Sequence, residues 1–264
     1  MRPLLLVLTL LFCLACLPLK GACGCILDGI SVGGQLDGFR YTTDHFWNRK
    51  GNLRPAHNHL DFTGANIWLF GSFGSNWQLN LTTAWQNARE SLNGTSRGLA
   101  DIELSGTTYL RPLGCGDLFA QGVVVLPSGR AKEMIRYGCW GVELGLLYRY
   151  SLRMCRIETS LGFRGYGGDP SDLVRGVVRA HFWPERQVSL SVAAELDYGL
   201  FNGKKGKHPN ALLYNNNYRL LRVEGLLNYN FWRGCCLNGG GFYHLWGENI
   251  GNCGGFFGGV SCVF

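Results

Sequence analysis

The chain has 264 residues and a net charge of +7, yet only 16% of its residues are charged, while 46% are hydrophobic, 13% aromatic and 39 are Gly. Average proteins carry roughly 25% charged residues, so a conventional soluble domain with a Lys- and Glu-rich surface is excluded. The basic residues are scattered apart from the run Lys204 to His208, a pattern of surface and loop charge that excludes nucleic acid as a partner.

In chain order, the first element is an export signal. Met1 to Pro3 supplies a short positive start, and Leu4 to Leu19 is almost wholly apolar. That run suits a secretory core and is short for a membrane span of about 20 residues. Cleavage after Gly24, with Ala22 three places before the cut, gives a signal peptide over 1–24 and a mature chain over 25–264. Cutting after Cys23 is the alternative, and Ala22 to Cys25 fits a lipoprotein signal poorly. No later stretch reaches 18 consecutive apolar residues, which excludes helical spans beyond the signal.

Alternation of apolar and polar residues dominates from residue 29 onward. It predicts twelve strands, over about 29–41, 58–71, 75–88, 98–112, 117–127, 139–151, 154–166, 172–183, 186–201, 217–232, 236–247 and 253–264. The ninth is the clearest. Val188, Leu190, Val192, Leu196 and Tyr198 share one face, and Ser189, Ser191, Glu195 and Asp197 the other, as in a half-buried strand. The first, third, fifth and ninth connections (42–57, 89–97, 128–138 and 202–216) read as long. The even-numbered ones read as tight turns. Long loops on one side and short turns on the other is the asymmetry of an outer-membrane barrel. Strands crossing lipid must pair every backbone group, so the sheet must close.

The fold class expected is therefore all-β: one closed antiparallel transmembrane β-barrel of about twelve strands, in a bacterial outer membrane. Apolar faces then point to lipid and charged faces inward. Expected lumen residues are Glu143, Arg149, Glu158, Arg164, Arg175, Arg179, His181, Glu195, Asp197, Arg222 and Glu224, with both signs on neighbouring strands. Trp68, Trp77, Trp85, Trp140, Tyr148, Trp183, Tyr229, Phe231 and Trp232 suggest aromatic girdles. The final strand puts Phe256, Val260, Cys262 and Phe264 on one lipid-side face. The terminal aromatic Phe264 reads as the signal for the barrel-insertion machinery.

Eight cysteines remain after cleavage, and an oxidising compartment allows disulfides. The topology brings Cys25, Cys115, Cys155, Cys235, Cys236 and Cys262 to the periplasmic rim as disulfide candidates, and Cys139 and Cys253 to the outer rim. The spacings match no zinc site, and no pairing follows from sequence alone.

Several segments resemble one known group. Gly98 to Leu110, with Asp101, Ile102, Leu104 and Tyr109, is similar to one of its strands. Val124 to Gly129, with Leu126 and Pro127, resembles a strand end, with Ser128 where the group has Thr. Glu143 to Tyr148, Ser160 to Arg164 and Ser191 to Gly203 are similar to later strands. The resemblance covers about residues 58–232 and is to the outer-membrane family named after the meta-pathway of phenol degradation, treated as transporters of aromatic or apolar compounds. It implies a channel for small solutes and supplies no catalytic residue. The cysteine content departs from that family and is more like a disulfide-linked envelope. A cysteine-rich structural or adhesive barrel with a closed lumen is therefore the alternative function.

No enzyme is expected. His181 has no Ser two residues on. Asp44, His45, His57, His59 and Asp61 read as a polar loop and strand start rather than a metal or protease site. Glu195 and Asp197 read as partners of inward Arg. Neither cofactor nor metal is expected. Expected partners are outer-membrane lipid and lipopolysaccharide, which the Lys204 to His208 loop would face, together with small solutes and disulfide-linked envelope proteins.

Overall fold

The computed structural model describes residues 30–74, 76–91, 94–128, 138–168, 170–203 and 216–264. The expected signal peptide, Cys25 and the run Lys204 to His208 lie outside them.

Period-2 alternation is realised throughout as antiparallel β structure. The strands are β1 (Ile30–Trp47), β2 (Leu53–Phe73), β3 (Trp77–Glu90), β4 (Gly94–Leu99), β5 (Ile102–Leu113), β6 (Gly116–Leu126), β7 (Gly141–Ser151), β8 (Cys155–Tyr166), β9 (Leu173–Glu185), β10 (Val188–Gly199), β11 (Arg219–Trp232), β12 (Cys235–Glu248), β13 (Ile250–Gly251) and β14 (Gly254–Val263). β4 and β5 both pair with β3 and form one interrupted stave, as β13 and β14 do against β1. Each remaining strand pairs with its sequence neighbours, and β1 pairs with both β2 and β14. The result is a closed antiparallel barrel of 12 staves. Closure leaves no free sheet edge, which is what an all-strand membrane span requires.

The lower rim carries Ile30, the tight turns and Phe264. There Phe264 and Val32 exchange both backbone hydrogen bonds, at 2.7 and 3.2 Å, so the ladder runs to the last residue. The turn at Gly234 needs a left-handed backbone (φ 74°), and a Cβ there would lie 2.5 Å from the Val263 carbonyl oxygen. At Gly259 a Cβ would fall 1.9 Å from the Leu36 carbonyl oxygen, so only Gly lets β14 seat against β1.

The upper rim corrects part of the loop expectation. The first connection is 48–52 rather than 42–57, and the third is 91–93 rather than 89–97. β1 and β2 continue past a bulge between Thr43 and His45, pairing His45 with Pro55 and Trp47 with Leu53. Polar Asp44, His45, Arg54 and His57 interrupt the hydrophobic alternation here, so the ladder continues after the pattern that reveals it has faded. Length asymmetry survives in the connections 127–140 and 200–218, set against turns such as 114–115, 186–187 and 233–234.

Outward side chains form an apolar belt: Leu144 is 70% exposed, Leu161 63% and Phe256 64%. The buried clusters lie inside the barrel. Trp47, Leu173, Tyr218, Leu220 and Ile250, with Tyr166, pack at the upper mouth, and Leu60, Phe62 and Ala88 line the β2–β3 wall. Trp68 and Trp183 also line the interior and so leave the expected outward girdles, because each shares the parity of inward polar neighbours.

Register decides the cysteines. Cys235 on β12 stands directly opposite Cys262 on β14, their Cα atoms 4.2 Å apart, and the two form a disulfide. Cys115, Cys155 and Cys236 are unpaired among the described residues, because no second thiol stands opposite any of them in the ladder. Cys262→Ser is expected to add one reactive thiol, that of Cys235, to the number a maleimide labels in denatured, unreduced protein. A number lower by one would disprove the bond.

Candidate functional site

The inward faces bound two cavities. The lower, of about 650 Å³, and the upper, of about 360 Å³, share Asn66, Gln86 and Arg222, which mark the boundary between them.

Cross-strand register builds a ladder of charge on β7 to β11, since residues directly opposite on one face interact most strongly. Glu143 stands opposite Arg164, Arg149 opposite Glu158, Glu158 opposite Arg179, Arg175 opposite Asp197 and Glu195 opposite Arg222. In the upper half, Arg164 donates to Glu143 at 2.8 Å and to Glu103 at 2.6 Å, while Arg175 donates to Glu143 at 3.2 Å and to Asp197 at 2.8 Å. Tyr218 donates its hydroxyl to Asp197 at 3.1 Å. Glu103 sits on β5 and Arg164 on β8, so their bond skips two strands and runs as a chord through the lumen.

The lower half holds two smaller groups. Glu158 lies 2.8 Å from Arg149 and 3.3 Å from Arg156, with His181 Nε2 at 3.6 Å. Glu195 pairs with Arg179 at 3.4 Å and closely with Arg222. Glu224 lines the same cavity, opposite Phe242 in register.

His181 does meet a serine, but across strands. Its Nδ1 lies 2.8 Å from Ser191 Oγ, the residue opposite it on β10. A nucleophile–base pair needs a third group to orient the base. Glu158 is beyond hydrogen-bond range of His181 and is held by two arginines, so the arrangement reads as lumen packing. At the upper rim, His45 Nδ1 lies 2.6 Å from Asp44 Oδ1 and holds that carboxyl below its usual range. Asp61 pairs instead with Arg40 at 3.2 Å. No cluster of three possible metal ligands occurs among the described residues.

Facing the ladder is a wall the charge pattern does not reveal. Phe39 and Tyr41 on β1, Phe62 on β2, Phe242 on β12 and Phe257 on β14 line the lower cavity. Four of these rings are in contact: Tyr41 and Phe62 stack with centroids 4.6 Å apart, Phe39 and Phe62 lie at 5.7 Å, and Tyr41 and Phe242 meet edge-on at 5.4 Å. The available signal was parity, because Phe39 shares a face with Asp37 and Phe242 with His244. Glu103 was likewise missed, since its partner is remote in both sequence and strand order.

No protein-family model and no curated protein matches the chain. Solved structures do. An outer-membrane channel from Pseudomonas putida F1 superposes with a TM-score of 0.71 at 15% identity, covering 89% of this chain and 96% of the other. The NanC porin gives 0.56 at 7% identity, covering 86% and 98%. The KdgM porin, solved in complex with disordered oligogalacturonate, gives 0.53 at 8%, covering 87% and 99%. These likenesses are of fold, and the fold is that of outer-membrane β-barrels.

Proposed function

We propose that the chain is a channel of a bacterial outer membrane that carries small solutes with an aromatic or apolar body. The observation that carries this reading is the two-sided lumen, an aromatic wall opposite a charged ladder. An outward belt of exposed Leu, Val and Phe suits lipid and not water, which supports membrane residence. On this reading residues 1–24 direct export, the lower rim faces the periplasm and the upper rim meets lipopolysaccharide. Phe264, at the end of the closing strand, is the contact for the insertion machinery. The eleven lumen residues act as the solute path, without enzymatic chemistry. Motif similarity to the phenol meta-pathway group and fold likeness to channels and porins support the same reading.

A second reading is a structural envelope barrel with a closed lumen. It is favoured by one observation, the Arg164–Glu103 chord across the upper half. Planar-bilayer recording separates the two. The channel reading expects unitary current steps in KCl, and a barrel that inserts but passes no current at any voltage would overturn it.

A further inference from the structure

We infer that the solute is an organic monocarboxylate, its carboxylate held by Arg156 and Arg179 and its apolar body laid on the aromatic wall. This rests on the channel reading and names the solute class for it.

The charge balance differs between the two halves of the ladder. In the lower half four arginines (149, 156, 179 and 222) pair with two carboxylates, Glu158 and Glu195, and two further acids, Asp37 and Glu224, line the same cavity. In the upper half Arg164 and Arg175 face three acids, Glu103, Glu143 and Asp197. The excess of arginine is local to β7, β8 and β9, where Arg149, Arg156 and Arg179 stand around Glu158, and an anion is favoured there.

Two of the four arginines have donors to spare. A guanidinium carries five N–H donors. Arg156 meets Glu158 through Nε alone, as a 3.3 Å ion pair too poorly aligned for a hydrogen bond, which leaves its terminal N–H groups available. Arg179 donates once, at 3.4 Å. Both side chains line the lower cavity and remain about a third exposed, at 34% and 36%. Arg156 stands opposite His181 on β9, which makes it a diagonal neighbour of Arg179. Diagonal pairs lie roughly 7–8 Å apart, within reach of long side chains, so both guanidiniums can converge on one carboxylate. Arg156 is also steadied over the Trp183 ring at 5.3 Å.

Two acids in the same cavity set the orientation. Asp37 on β1 and Glu224 on β11 stand among the aromatic side chains, Asp37 on the same face as Phe39 and Glu224 opposite Phe242. They repel a carboxylate from the aromatic wall and leave that wall to the apolar end. An anion without a ring, or a ring without an anion, satisfies only one side.

The test uses the whole protein in planar bilayers with three probes: benzoate, benzamide and acetate. Benzoate is expected to half-block KCl current at a concentration at least about tenfold below either of the others, the size of one charge-assisted hydrogen-bonding contact. Arg156→Gln combined with Arg179→Gln should raise the benzoate value about tenfold and move benzamide little. Equal block by benzamide overturns the carboxylate assignment, equal block by acetate overturns the aromatic one, and an unaffected double variant overturns the site. If no KCl current exists, the channel reading fails by itself. The same probes are then titrated against tryptophan fluorescence in detergent, because Trp68 and Trp183 line the cavity. Preference for benzoate there upholds the site, and its absence overturns it.

Discussion

Glu143→Ala is expected to destabilise the barrel by about 3 kcal/mol or more, the low end of the range for breaking a buried ion pair. The Glu143 carboxylate is 6% exposed and accepts from two arginines, Arg164 at 2.8 Å and Arg175 at 3.2 Å. Arg164 is itself 6% exposed. Removing the acid leaves two positive groups facing each other in a confined lumen, with Glu103 and Asp197 as partial compensation. Urea-driven unfolding from lipid vesicles, followed by tryptophan fluorescence and gel mobility, measures the loss. Arg40→Ala is the comparison: its pair with Asp61 is solvent-exposed and should contribute less than about 1 kcal/mol. A Glu143→Ala loss no larger than that of Arg40→Ala would show that the ladder does not hold the barrel.

The neighbouring residue tests the opposite face. Leu144 points outward and is 70% exposed within β7. If that face meets lipid, Leu144→Arg should cost about 2–4 kcal/mol, whereas Leu152→Arg, in the turn at the lower rim, should cost about 0–1 kcal/mol. The same unfolding assay reads both. Equal small effects would mean that the outward belt does not sit in a bilayer. Together the two substitutions contrast adjacent residues, one whose loss uncovers charge inside and one whose change places charge outside.

Much of this architecture was legible because period-2 alternation needs only local information. β7, β8 and β10 emerge within two residues of the spans the pattern predicts, and inward Glu143, Arg164 and Asp197 were identifiable from parity alone. The upper parts of β1 and β2 were not, because polar His45, Arg54 and His57 break the alternation within 42–57. The aromatic wall was hidden for the converse reason. Phe39, Phe62 and Phe242 are apolar residues facing inward, and the rule that sends charge inward and apolar residues to lipid misreads such a face.

What the sequence by itself determined was the number of staves, the inward hand of the charged residues, and the closed all-β class, since each follows from the chemistry of near neighbours and the need to pair every backbone group. What only the tertiary structure decided was which distant residues meet. The Cys235–Cys262 bond, the Ser191–His181 contact and the Arg164–Glu103 chord all depend on register and closure. A shift of one residue in any ladder would reverse every face and leave the local pattern unchanged. Pairing between strands far apart in the chain is a property of the closed sheet, and the two-sided lumen exists only once that sheet has closed.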